Sequence, residues 1–231
     1  MKLEIDTREI ASQMNAQGYV HLTSVLNNGE CQALIDAFES DALYRKTVHM
    51  ERHQYGKGRY RYFAYPLPEL VENLRQELYP LLAPLANQWA KDLGLEMHYS
   101  EAYADFLELC RKAGQLLPTP LILQYEPGGY NTLHQDLYGE VYFPMQAIIC
   151  LSQKGKDFTG GQLVLTEQRP RAQSKAIVID PDQGDLIIIP TQFRPRQGSR
   201  GSYRVNMRHG VSEVKSGMRY TLGVILHEAL K

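Results

Sequence analysis

Apolar and polar positions divide the chain into a helical first half and a strand-rich second half. Ile10 and Met14 share one helical face behind an Asp6–Glu9 pair of capping type, and Gly18 ends that turn. Tyr19-Val-His-Leu22 follows as a short strand pattern. After Asn27-Asn-Gly, the positions Cys31, Leu34, Ile35 and Phe38 recur at helix spacing and predict a second amphipathic helix. Leu70, Leu74 and Leu78 mark a third, which Pro80 and Pro84 are expected to bend or divide, and Leu85 to Leu93 continues helical until Gly94. Ser100 is placed to cap a helix through about Lys112, with Tyr103, Phe106, Leu107 and Cys110 as its buried stripe. From Pro120 onward the pattern is strands and turns, with candidate strands at 121–125, 133–137, 141–152, 161–166, 175–180, 185–190, 203–209 and 218–227. Residues 1–115 therefore predict mainly helical support and 120–229 an antiparallel barrel or jelly-roll, an α+β fold class.

Composition adds limits. Hydrophobic residues make up 43% and charged residues 22%, ordinary for a soluble globular chain. With 231 residues and no linker, repeat or low-complexity tract, a single domain over 1–231 is expected. The net charge of −1 gives no global pull toward nucleic acid or an anionic membrane, so any such attraction has to be local. Cys31, Cys110 and Cys150 are widely spaced and form no Cys-x-x-Cys, which indicates neither a disulfide framework nor a zinc site and fits a reducing cytoplasm. Met1-Lys-Leu-Glu-Ile-Asp holds no apolar signal core and no run reaches membrane-spanning length, so no membrane partner is expected.

The candidate chemistry centres on Gln124 to Gly139, which reads Gln-Tyr-Glu-Pro-Gly-Gly-Tyr-Asn-Thr-Leu-His-Gln-Asp-Leu-Tyr-Gly. It is two strand segments joined through a Gly-rich turn. His134 and Asp136 stand two apart, so on an extended chain an imidazole and a carboxylate project from the same face. Two His and one carboxylate make a facial iron site that leaves the opposite coordination positions open. His209 ends a later strand pattern and is the candidate third ligand. Arg219 opens the next after a turn at Lys215-Ser-Gly, which predicts the two on neighbouring antiparallel strands. A guanidinium there can bind a carboxylate bidentately. His21 and His227 have no such company and read as structural.

The order His134-x-Asp136, then His209 and then Arg219 ten positions further resembles the Fe(II)/2-oxoglutarate-dependent dioxygenase superfamily. The wording Leu-His-Gln-Asp-Leu-Tyr-Gly-Glu, Phe158-Thr-Gly-Gly, Leu165-Thr-Glu-Gln-Arg-Pro-Arg, Gln183-Gly-Asp and Tyr203-Arg-Val-Asn-Met-Arg-His-Gly-Val-Ser resembles a bacterial subfamily of it, grouped as oxygenases of damaged DNA. This resemblance spans roughly residues 50–229. It implies a double-stranded β-helix in which His134, Asp136 and His209 bind Fe(II). Under it, 2-oxoglutarate chelates the metal with its C5 carboxylate on Arg219, and O2 is the second co-substrate. Related hydroxylases carry a tyrosine in the strand before His-x-Asp that hydrogen-bonds 2-oxoglutarate, which makes Tyr125 the preferred candidate and Tyr130 the other.

Local charge bears on the substrate. In residues 51–65, Arg52, Lys57, Arg59 and Arg61 interleave with Tyr55, Tyr60, Tyr62, Phe63 and Tyr65. Basic groups suit phosphates and aromatic faces suit bases, which fits a nucleic-acid-contacting loop; the alternation of Arg59-Tyr-Arg-Tyr-Phe equally fits an edge strand with one solvated face. Between Thr191 and Arg219, seven Arg and Lys oppose only Glu213, 7 − 1 = +6. Arg194, Arg196, Tyr60 and Arg61 are the candidate substrate contacts. Demethylases of alkylated nucleic acid place the co-substrate arginine farther past the distal His, with a second arginine six residues on, where this chain has Ile225. The interval here is closer to that of prolyl-hydroxylase-like enzymes. Three readings follow: oxidation of an alkylated nucleic acid; hydroxylation of a protein side chain, amino acid or small metabolite; and a non-catalytic nucleic-acid-binding or sensor protein, against which the complete triad and Arg219 argue.

Overall fold

Capping chemistry sets the first helices. The structure, a computed structural model, describes residues 5–230. Asp6 accepts from the Arg8 N–H at the start of α1 (Thr7–Gln17), and Gly18 at φ 85° ends it. After β1 (Val20–Leu22), Asn27 and Glu30 form a reciprocal capping box at the start of α2 (Asn28–Ala37). The hairpin region holds β2 (Tyr44–His49), β3 (Gly56–Lys57) and β4 (Arg59–Phe63).

Next come α3 (Glu69–Asp92) and α4 (Tyr103–Lys112). Of the two outcomes expected at Pro80 and Pro84, division does not occur, and α3 runs on through both. Each proline costs about 3 kcal/mol in a helix interior. Burial of Val71, Leu74, Leu78, Tyr79, Leu82, Leu85 and Trp89 on one face contributes about 1.5–3 kcal/mol apiece and outweighs that. Ser100 stands two residues before the N-cap of α4, Ala102, where its hydroxyl accepts from the Ala102 N–H and donates to Asp105.

The remainder is strand and loop. In order these are β5 (Gln115–Leu117), β6 (Leu121–Tyr125), β7 (Tyr130–His134), β8 (Met145–Cys150), β9 (Phe158–Gly160) and β10 (Leu163–Gln168). Then follow β11 (Lys175–Ile179), β12 (Leu186–Pro190), β13 (Phe193–Gly198), β14 (Gly201–Val211), β15 (Val214–Gly217), β16 (Arg219–Val224) and β17 (Ala229–Leu230). A seven-stranded sheet has the order β1-β12-β8-β16-β6-β4-β2, and a second runs β11-β10-β14-β7-β3 with β13 on β14. The pairings of the named strands are antiparallel, and the two sheets face each other as a jelly-roll.

Alternation along the larger sheet separates two environments. Leu186 and Ile188 of β12 join the core under the helices, whereas Ile187 and Ile189 pack against Leu163, Leu165, Val205 and Met207 of the second sheet. Both faces of this sheet are covered, which is why Leu-Ile-Ile-Ile shows no polar alternation. Toward the other edge, the inward face opens into a cavity.

β4 is not an edge strand, because β2 lies outside it, and Arg61 turns to the helix side, donating to Asp41 and to the Phe38 carbonyl beneath the Tyr44 ring. His209 and Arg219 are not on neighbouring strands. β14 belongs to one sheet and β16 to the other, with β15 making the crossing, so the two side chains approach from opposite walls. The segment after β16 returns along the cavity, where Leu230 N–H donates to the Tyr138 carbonyl and Ile225, Ala229 and Leu230 form part of the lining.

Candidate active site

β7 and β14 pair so that His134 and His209 stand directly opposite, with ring centroids 4.2 Å apart. β7 ends at His134, earlier than the strand pattern suggested, and Asp136 lies in the following loop. His134 Nε2 is 3.6 Å from Asp136 Oδ1, and His209 Nε2 is 3.2 Å from Oδ2. Donors bound at about 2.1 Å on adjacent octahedral corners stand about 3 Å apart, so the three groups already have nearly ligating separations. His134 Nδ1–H donates to the Thr132 carbonyl at 2.7 Å, which leaves the Nε2 lone pair toward the carboxylate. Burial, with the neighbouring His209, holds the His134 pKa below its ordinary value, favouring the neutral, ligating imidazole. Burial alone would raise the Asp136 carboxyl. His134, His209 and the Tyr138 hydroxyl outweigh it and hold the group well below the usual carboxylate range. Two imidazoles and one carboxylate converging from one side fit Fe(II).

The carboxylate is itself held at both oxygens. Tyr138 donates to Oδ1 at 2.8 Å and Gln146 Nε2 to Oδ2 at 2.9 Å, while the Tyr62 hydroxyl donates to that of Tyr138 at 3.0 Å. Gln146 is buried on β8. No sequence motif marks these residues, although a lone amide inside the apolar run Met145–Cys150 and a tyrosine two positions past Asp136 were the available signals.

Arg219 opens β16 opposite Tyr125 of β6. It is 1% exposed, its guanidinium carbon lies 5.7 Å from the Tyr125 ring centroid and 5.6 Å from that of Phe158, and its Nε and Nη1 have no hydrogen-bond partner. A buried cation with unmade bonds is costly unless an anion completes it, and the C5 carboxylate of 2-oxoglutarate fits that need. Gly161, at φ +65°, gives the arginine its room, since a Cβ there would lie 2.7 Å from Arg219 Cδ. The Tyr125 hydroxyl is buried without a well-formed hydrogen bond, the Asn131 side chain lying beside it, and burial pushes its pKa up so that it stays a donor. Tyr130 is 42% exposed and outside the cavity, so of the two tyrosine candidates only Tyr125 borders the site.

One cavity of about 630 Å³ joins the triad, Tyr125 and Arg219, with Tyr60, Tyr62 and Tyr138 along its wall. Tyr60 is the one proposed substrate contact that lines it. Arg61 faces the helices, and Arg194 is 2% exposed, donating to Glu167 at 2.7 Å and to the Met14 and Asn15 carbonyls. Arg196 donates to the same Glu167 at 2.7 Å, and Arg169 joins at 3.1 Å. The expected basic substrate face is thus partly spent inside the protein, tying β13 to β10 and α1 around one buried carboxylate. Asn206 and Arg208 are exposed, alternating with the buried His209.

The sequence model of a family described as "Oxygenase, catalysing oxidative methylation of damaged DNA" matches residues 58–229. Two uncharacterised proteins of Mycobacterium tuberculosis, from strains CDC 1551 / Oshkosh and ATCC 25618 / H37Rv, are each 44% identical over 167 residues, 72% of this chain and 72% of theirs. The fold is similar to that of a Pseudomonas putida prolyl-4-hydroxylase, with a TM-score of 0.57 and 15% identity over 94% of this chain and 96% of that one. An oxidoreductase of the 2OG-Fe(II) oxygenase family from Burkholderia pseudomallei gives 0.55 and 17% over 100% and 95%. With the family model covering most of the chain and the candidate residues for iron and 2-oxoglutarate gathered in one cavity, the chain belongs to this oxygenase family and is an Fe(II)/2-oxoglutarate-dependent dioxygenase.

Proposed function

We propose that the protein hydroxylates an alkyl group on a nucleic-acid base, so that an N-methyl group becomes N-hydroxymethyl and leaves as formaldehyde. The observation that carries this reading is the cavity wall: Tyr60, Tyr62 and Tyr138 offer aromatic surface beside the iron ligands, as suits an extruded or unpaired base. The family description, which names damaged DNA, supports it. Bound Fe(II) supplies the activation of O2 coupled to oxidative decarboxylation of 2-oxoglutarate to succinate and CO2. The chain's residues position that chemistry. His134, Asp136 and His209 would hold the metal, Gln146 and Tyr138 keep Asp136 from rotating, Arg219 would bind the C5 carboxylate through charge-assisted bonds, and Tyr125 would donate to an oxygen of the co-substrate. Leu121, Leu123 and Ile148 help exclude water from the same space.

The test is anaerobic loading with Fe(II) and 2-oxoglutarate, then oxygen, with succinate and formaldehyde measured with and without N-methylated single-stranded DNA. Succinate stimulated by the strand, accompanied by formaldehyde and absent from His134→Ala and Asp136→Ala, is expected. Unstimulated succinate would overturn the base as substrate, and none under any condition would overturn the catalytic reading. The ten-residue interval between His209 and Arg219 favours a second reading, hydroxylation of a protein side chain, amino acid or small metabolite, for which the same assay without DNA is the starting point.

A further inference from the structure

β2 carries a bulge where it meets β4. Tyr44 pairs with Phe63 and Lys46 with Tyr62, so Arg45 is an extra residue on the β2 side. A regular strand alternates its side chains, whereas a bulge can turn two consecutive ones to the same face. Tyr44 lies on the helix side, stacked on Phe63 at 4.8 Å, while Arg45, Lys46 and then Val48 line the cavity. Arg45 is held in place: its Nε donates to the Pro118 carbonyl at 2.9 Å and its guanidinium carbon lies 4.7 Å from the Tyr62 ring centroid. Among the described residues, neither Arg45 nor Lys46 is in an ion pair, in contrast to Arg59 and Arg61 on the adjoining strand.

These two cations are remote from the 2-oxoglutarate anchor. Arg219 pairs with Tyr125 at one end of β6, and Tyr62, the partner of Lys46, pairs with Leu121 at the other. Four residue steps separate those levels, about 13 Å along the strand, longer than 2-oxoglutarate itself. Tyr60 and Tyr62 line the wall between them.

We propose that Arg45 and Lys46 anchor a phosphate of the substrate, holding the nucleotide whose base lies against the tyrosine wall beside the metal. This rests on the nucleic-acid reading of the site. Two adjacent cations match a phosphate better than a single carboxylate, and the fixed fork of Arg45 adds direction to the charge of Lys46.

The test uses the full chain loaded anaerobically with Fe(II) and saturating 2-oxoglutarate, titrated calorimetrically with 1-methyladenosine 5′-phosphate and with 1-methyladenosine. The monophosphate is expected to bind at least tenfold more tightly. Lys46→Gln changes an exposed side chain for which the structure shows no hydrogen bond, so it threatens folding little, and it should reduce that ratio at least threefold. The double variant Arg45→Gln/Lys46→Gln should bring it close to one. Equal binding of nucleotide and nucleoside by the wild type, or a ratio that survives in both variants, overturns the anchor. So does the absence of binding by either compound, and succinate release on admitting oxygen then tells whether the oxygenase reading fails with it. A carboxylate-bearing peptide that binds instead, and loses affinity in Lys46→Gln, would overturn the phosphate assignment in favour of a peptide.

Discussion

Asp136 shows how few atoms separate a ligand from a bystander. Both of its oxygens face an imidazole Nε2, and both also accept from a donor outside the triad, Tyr138 or Gln146. Partners of this kind govern metal affinity by fixing the ligand's orientation. Gln146→Leu keeps the volume of the side chain and removes the donor to Oδ2. It is expected to weaken Fe(II) binding about 10–100-fold, read as the Fe(II) concentration giving half-maximal succinate formation, and an unchanged value would mean that Tyr138 alone orients the carboxylate. At this scale the sequence was legible where spacing carries chemistry. His134, Asp136, His209 and Arg219 form an ordered pattern, and the structure brings them into one cavity. Gln146, Tyr138 and Arg45 were not legible, because their roles depend on which distant strands come together; the Tyr62–Tyr138 bond joins residues 76 apart.

Between elements, the decisive features are the places where a strand departs from regular alternation. Tyr44-Arg-Lys-Thr-Val-His escaped the strand reading because the bulge at Arg45 breaks its period of two, and β13 escaped because Pro195 interrupts it. The helices were legible because their burial repeats regularly and the central strands because they are short, continuous apolar runs, although α3 shows that a packed face can override two prolines. Gly161 is the other departure, a left-handed residue whose missing Cβ leaves space for the Arg219 stem. Gly161→Ala should raise the KM for 2-oxoglutarate at least fivefold by displacing that guanidinium, with Fe(II) affinity unchanged because the triad lies on other segments. Steady-state succinate formation at varied 2-oxoglutarate checks this, and an unaltered KM would show that the arginine can shift without loss.

The whole molecule is held to its site by a buried ion pair that joins the first half of the chain to the last. Arg75 of α3 donates to Glu228 Oε1 at 2.7 Å and to the Leu226 carbonyl at 3.3 Å, and Tyr65 donates to the same Oε1 at 2.7 Å. Arg75 is 0% and Glu228 3% exposed. Removing one partner of a buried pair typically costs about 3–5 kcal/mol because the other charge is left without compensation. Glu228→Ala is therefore expected to lower the Tm by about 6–20 °C for a chain of this size, checked by thermal unfolding. Arg75→Met/Glu228→Leu should recover most of that loss, since it removes both charges. The segment this pair secures carries Ile225, Ala229 and Leu230, which close one side of the cavity after the iron ligands and Arg219 have already appeared in the sequence. The ion pair and the cavity wall are thus one segment. Loosening Arg75 from Glu228 would open the site to water as well as weaken the fold, so stability and the dryness of the cavity rise and fall together.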